Sequence, residues 1–193
     1  PLRFRPATPL SQPTVKPRSH TGRDRKTTST NGITNGSERA IIEEMLDRNR
    51  EALIATARGL SEVDARRQLV ASLTTPISLL KHAAAAERIW FQRFWAGLDG
   101  SECDGYSRRD EGTFAVADDE SLADVVAEFE RASQRSREIA SRFQLDDTKD
   151  NPLEGTVSMR WTLLMFIQEF ARHAGHGDIL REQINSSNAA NPS

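Results

Sequence analysis

The chain reads as an all-α protein, a bundle of four long helices behind a polar N-terminal segment. Three observations predict this class. Apolar residues recur at helical spacing over four separate stretches, cap-forming residues stand at the starts of three of them, and nowhere does hydrophobicity alternate as in a half-buried strand. No repeat of fixed period is present, which sets solenoids and propellers aside.

The polar segment comes first. Residues 1–36 hold seven of the 26 bases and one of the 28 acids, a net charge of +6 that leaves −8 on the remainder. The near-neutral total therefore hides a basic tail on an acidic body. Pro1, Pro6, Pro9, Pro13 and Pro17 interrupt any helix there, and no apolar core of a secretory signal is present. The expected organisation is a disordered basic tail over 1–36, one bundle domain over 37–185 and a disordered C-terminal tail over 186–193.

Ser37 is placed to cap a first helix over 38–58, whose Ile42, Met45, Leu46 and Leu53 recur at helical spacing. Ser61-Glu-Val-Asp64 has the form of a capping box for a short turn reaching about Gln68. Thr75-Pro76 then opens a second helix over 76–97, because proline at the first helical position loses a hydrogen bond that is not made there anyway. This helix carries four alanines, Ala83 to Ala86, which allow another helix close by, and then Trp90, Phe91, Phe94 and Trp95. An acidic, glycine-punctuated loop over 98–119 is longer than most connections and reads as a lid or crossover. Ser121 starts a third helix running to about Phe143, with Leu122, Val125, Val126, Phe129 and Ile139 on its apolar face. Its Glu128, Glu130, Arg131, Arg135, Arg137 and Glu138 read as a solvated face. Asp146 to Gly155 is a connector, and a fourth helix is expected over about 157–184. Gly175 and Gly177 weaken that helix by roughly 1 kcal/mol each relative to alanine, which points to close approach of a neighbour or ligand.

Composition excludes several functions. No run reaches the roughly 18 apolar residues of a membrane span, so no membrane role is expected. A body at −8 is poorly matched to nucleic acid, whose non-specific affinity comes from phosphate neutralisation. The single cysteine, Cys103, has no His or Lys beside it in sequence; it cannot form an internal disulfide and fits a reducing cytoplasm.

Chemistry concentrates on the fourth helix. Glu169, His173 and His176 fall within about 60° of one another on a helical wheel. Glu169 and His173, four apart, stack one turn above the other, which is how a helix offers two ligands to one ion. A third ligand must come from another helix, where His82 is the sole histidine of the body. Spacing alone leaves two donor sets open, His82 with Glu169 and His173, or His82 with His173 and His176. Either suits a divalent transition metal with coordination positions left for water or substrate. A ferritin-like di-iron site would need a Glu-x-x-His on each of two helices, and only one such cluster exists. Hemerythrin-like sites need more histidines than the body holds.

Lys81-His82-Ala-Ala-Ala-Ala-Glu87-Arg88-Ile89-Trp90-Phe91 and Glu169-Phe-Ala-Arg-His173-Ala-Gly175-His176-Gly-Asp178-Ile-Leu-Arg181-Glu182 resemble the two signature helices of the DinB superfamily, most closely its actinobacterial mycothiol-transferase-like branch. The resemblance covers about 38–185. It implies an up-down-down-up four-helix bundle with a long crossover and a divalent metal held by His82, Glu169 and His173. Glu169 departs from the commoner histidine at that position. His176, after the glycine, then becomes a substrate contact or outer partner, and Arg172 and Arg181, with His176, are expected to bind the cofactor, with Asp178 also flanking the site.

What the resemblance implies about activity is a cytoplasmic, divalent-metal-dependent thiol S-transferase, with zinc the first choice over nickel, iron or manganese. Mycothiol or a similar low-molecular-weight thiol would be the co-substrate and a small electrophile the acceptor, in detoxification. The contrasting expectation is a non-catalytic, metal-stabilised bundle that serves as an interaction or stress-response module. A homodimer is compatible with a bundle of this size.

Overall fold

The computed structural model describes residues 34–190, so the basic tail expected over 1–36 lies almost wholly outside the described residues. Helix α1 (Glu38–Ala57) opens on Ser37, whose side chain accepts from the Ala40 amide. A short turn, α2 (Glu62–Ala65), is capped by Ser61. Helix α3 (Pro76–Glu87) begins with a full capping box between Thr75 and Ser78. It runs on without a break as a π-helix over Arg88–Trp95, where the Ala96 amide reaches back five residues to the Phe91 carbonyl. Wide turns of this kind mark functional stretches more often than chance. A 3-10 turn (Glu111–Phe114) lies in the crossover, and α4 (Leu122–Ala140) follows a second capping box at Ser121.

One element was not legible in the sequence. Residues expected to form a plain connector make a hairpin, β1 (Thr148–Asn151) paired antiparallel with β2 (Gly155–Ser158). Its strands are four residues each and read TKDN and GTVS, too short and too polar to show alternation. What holds them is local turn chemistry and tertiary contact. Asn151 Oδ1 accepts from the Leu153 and Glu154 amides, and Gly155 supplies the positive φ of +74° that closes the turn. Lys149 Nζ then donates to the Phe94 and Trp95 carbonyls, capping the open end of the π-helix.

Helix α5 (Met159–Ala190) is longer than expected, continuing six residues past Ile184. Asn188 is tied there to Asp64 and Arg67 near α2, contacts between distant parts of the chain that sequence reading could not supply. The C-terminal tail expected over 186–193 is thus helical as far as Ala190, and the last three residues lie outside the described ones.

Side-chain pairings fix the helix directions. Arg160 at the start of α5 pairs with Glu38 at the start of α1, and Arg181 reaches the end of α1, so those two run parallel. Lys81 meets Glu128 while Trp95 packs on Phe143 beyond the end of α4, so α3 and α4 are parallel. Phe91 lies on Phe166 and the Trp95 indole donates to Thr162 Oγ1, placing α5 antiparallel to α3. The arrangement is the expected up-down-down-up bundle, and 98–119 is the crossover it requires.

That crossover is pinned to the bundle. Arg88, 0% exposed, binds Asp104 of the crossover and Glu128 of α4, each at 2.6 Å. Gln92 donates to the same Asp104 carboxylate and accepts from the Asp104 amide. Glu128, expected on a solvated face, is therefore the shared acceptor of Arg88 and Lys81. A second buried pair, Arg50 with Glu87 at 2.8 Å, joins α1 to α3. Among the glycines of α5, Gly177 sits where an added Cβ would fall within 2.9 Å of three Thr56 atoms, whereas Gly175 faces open space. The close approach expected of both glycines belongs to Gly177 alone, against α1.

Candidate metal centre

The antiparallel contact of α3 and α5 brings His82 and His173 together, their rings edge to face with centroids 5.1 Å apart. Glu169, one turn before His173, has its Oε2 3.6 Å from His173 Nε2. Its other oxygen accepts from Arg172 Nη1 at 3.0 Å. His82, Glu169 and His173 thus share one wall of a cleft of about 730 Å³. The side chains are not closed around a point, and among the described residues no three His, Cys, Asp or Glu donors stand in a ready coordination sphere.

Burial sets the electrostatics. Desolvation, with the nearby His173 as a lesser cause, lowers the His82 pKa from 6.5 to about 4. Desolvation also lowers His173, against the raising influence of Glu169. Both imidazoles are therefore neutral at pH 7, the form in which histidine binds metal. His173 carries the sharper signal: its Nδ1 and Nε2 are both buried and neither has a hydrogen-bond partner. An imidazole needs a partner on at least one nitrogen when water is excluded. Two neutral imidazoles and a carboxylate, one imidazole orphaned, fit a divalent metal as donor set.

The crossover completes the site, and this was not legible beforehand. From its 3-10 turn, Thr113 Oγ1 lies 3.0 Å from His82 Nδ1, and the Phe114 ring stacks on the imidazole at 4.2 Å and 10°. Trp90 and Trp161 line the same cleft, with ring centroids 5.7 Å apart, and Arg109 stands 4.9 Å over Trp90. Nothing in the spacing of 98–119 announced Thr113 or Phe114. Nor did the sequence announce Trp161, whose 40% exposure beside the cleft only the structure shows.

The remaining sequence candidates fall elsewhere. Arg172 touches Glu169 and does not line the cleft. His176 is exposed and lines a separate hollow of about 300 Å³ with Val70, Thr74 and Ile179. Arg181 donates to the carbonyls of Ala55, Thr56 and Arg58, closing the C-terminus of α1. Asp178 is exposed, and Cys103 sits in the crossover with its thiol on the Asp99 carbonyl.

A family model described as mycothiol-S-transferase matches residues 41–186, about three quarters of the chain. The chain belongs to this family. Membership in the mycothiol-S-transferases, and through them in the DinB superfamily, agrees with the bundle's topology and places the chain in a family of transferases. The match covers all but the first three residues of α1 and the last four of α5 and includes His82, Glu169 and His173 as well as the crossover. A search of curated proteins gave no significant match. No helix among the described residues is long and apolar enough to cross a membrane.

Proposed function

We propose that the chain is a divalent-metal-dependent S-transferase for a low-molecular-weight thiol such as mycothiol, with His82, Glu169 and His173 as metal ligands. The observation that carries this reading is His173, a neutral imidazole with both nitrogens buried and unpartnered, facing His82 and Glu169 in a cleft of about 730 Å³. A bound divalent ion would supply one thing there, stabilisation of the thiol as its thiolate, the nucleophilic form.

The chain's own residues do the rest. Arg172 holds one Glu169 oxygen, leaving the other toward His173. Trp90, Phe114, Trp161 and Phe166 give the cleft apolar walls that exclude water from the sulfur and seat an apolar electrophile. Arg109, Glu111 and Glu154 line the same cleft and offer charges to the polar parts of the thiol. In the transfer a sulfur–carbon bond forms, the leaving group departs with its electron pair, and the thiol proton passes to solvent past the exposed Glu111 and Glu154.

The test is conjugate formation. Zinc-loaded protein mixed with mycothiol and a generic alkylating electrophile is expected to give conjugate above the thiol-only background, abolished by chelator and by His173→Ala. Metal-dependent melting without turnover would instead assign the chain to the non-catalytic, metal-stabilised class.

A further inference from the structure

The crossover turn makes two contacts with one imidazole. Thr113, 4% exposed, places Oγ1 3.0 Å from His82 Nδ1, and the adjacent Phe114 stacks on the ring face at 4.2 Å. The turn that carries them is itself held. Asp110 Oδ1 accepts from the Gly112 amide and from the Tyr106 hydroxyl, and the Asp110 carbonyl accepts from the Thr113 amide.

Proton accounting decides what this does to His82. A threonine hydroxyl has one proton to give. Thr113 Oγ1 lies 3.1 Å from the Asp110 carbonyl, an acceptor only, and that carbonyl can use its second lone pair for the hydroxyl proton. With that proton committed, Oγ1 meets His82 as an acceptor. The His82 Nδ1 must then carry the ring proton, and Nε2 is left with a free lone pair. Nδ1 is also blocked sterically by Thr113, so an ion can approach His82 only at Nε2.

We propose that Thr113 is a positioning residue that fixes His82 as the Nδ1–H tautomer and so presents Nε2 as the metal donor, with Phe114 setting the ring plane. The ordering runs from the Asp110 carbonyl through the Thr113 hydroxyl to the imidazole. Outer partners of this kind fix tautomer and ring orientation, and their loss typically costs about 10- to 100-fold in metal affinity. The inference rests on the proposed metal site for its consequence, while the tautomer stands on the hydrogen bonds alone.

The experiment uses the full chain, Thr113→Val, which keeps shape and removes the hydroxyl, and Thr113→Ser, which restores it. Zinc affinity is read by competition with a chromogenic chelator, and the His82 ring nitrogens by long-range 15N–1H correlation on metal-free protein. The expected results are a proton on Nδ1 in the parent chain, zinc binding weakened about 10- to 100-fold in Thr113→Val, and near-parental affinity in Thr113→Ser. Circular dichroism of the metal-free variants checks that the bundle is intact. A proton on Nε2 in the parent chain overturns the proposal, as does a Thr113→Val variant that binds zinc like the parent. If no variant and no parent binds zinc while His82 carries the Nδ1 proton, the metal site falls and the positioning of His82 by Thr113 stands.

Discussion

Gly175 and Gly177, two residues apart on α5, should respond to alanine with opposite signs. An alanine in an exposed helix interior is favoured over glycine by roughly 1 kcal/mol, through backbone entropy. At Gly175 nothing lies within 4 Å of the new Cβ, so Gly175→Ala should stabilise by about 0.5–1 kcal/mol. At Gly177 the new Cβ would stand 2.5 Å from Thr56 Oγ1, 2.7 Å from its Cβ and 2.9 Å from its Cγ2. These atoms cannot swing aside, because Thr56 is 2% exposed and its hydroxyl is bonded to the Leu53 carbonyl at 2.8 Å. The root of the side chain is in contact, so α1 and α5 must separate. Overpacking of this kind costs about 1–3 kcal/mol, which over most of that range outweighs the propensity gain of roughly 1 kcal/mol and leaves a net loss of up to about 2 kcal/mol. Urea unfolding of the metal-free protein measures both, and the two variants should differ by the overpacking cost itself, about 1–3 kcal/mol. Equal stability of Gly175→Ala and Gly177→Ala would refute the claim that Gly177 sets the α1–α5 spacing. Adding Thr56→Ala to Gly177→Ala should recover part of the loss, since the clash is with that side chain.

Four further outcomes follow from named contacts. His173→Ala should abolish stoichiometric metal in the purified protein while the far-ultraviolet dichroism stays that of the parent; undiminished metal refutes its assignment as a ligand. The metal-free protein should lose stability on acidification from about pH 6.5 toward pH 4, because the unfolded His82 binds a proton over that window and the folded one does not. That contribution is at most about 3 kcal/mol before solvent screening, and a pH titration of the unfolding midpoint should be flatter in His82→Gln. Removing one partner of the Arg50–Glu87 pair with Arg50→Leu should cost about 3–5 kcal/mol in urea unfolding, since it strands a carboxylate that is 0% exposed with only a 3.4 Å bond from Ser133, whereas Glu87→Leu should cost less because Arg50 keeps Asp47 at 2.6 Å. Arg181→Ala should lower the melting temperature, through three lost bonds to the end of α1, and leave zinc affinity and thiol binding unchanged.

The helices were legible because their information is local. Ser37, Thr75 and Ser121 each name a helix start through a side chain that reaches an amide three residues on, and helical periodicity names the buried face. The i,i+4 spacing of Glu169 and His173 likewise states which two side chains share a stripe. The β hairpin was not legible because Lys149 acts on the Phe94 and Trp95 carbonyls, more than 50 positions away. Glu128 looked like any helix charge until the fold placed Arg88 and Lys81 beside it.

By itself, then, the sequence determined four helices, the starts of three of them, the acidic body and the four residues that offer donor chemistry, His82, Glu169, His173 and His176, since caps, periods and side-chain types act within a turn or two of chain. The tertiary structure decided which of those residues meet. It set His82 against His173 across an antiparallel pair of helices and sent Arg181 to the end of α1. It also brought Thr113 and Phe114 from the crossover onto His82, joining residues 31 positions apart. Such juxtapositions depend on how helices pack and where a connection is pinned, quantities set by the whole core and written in no single stretch of the chain.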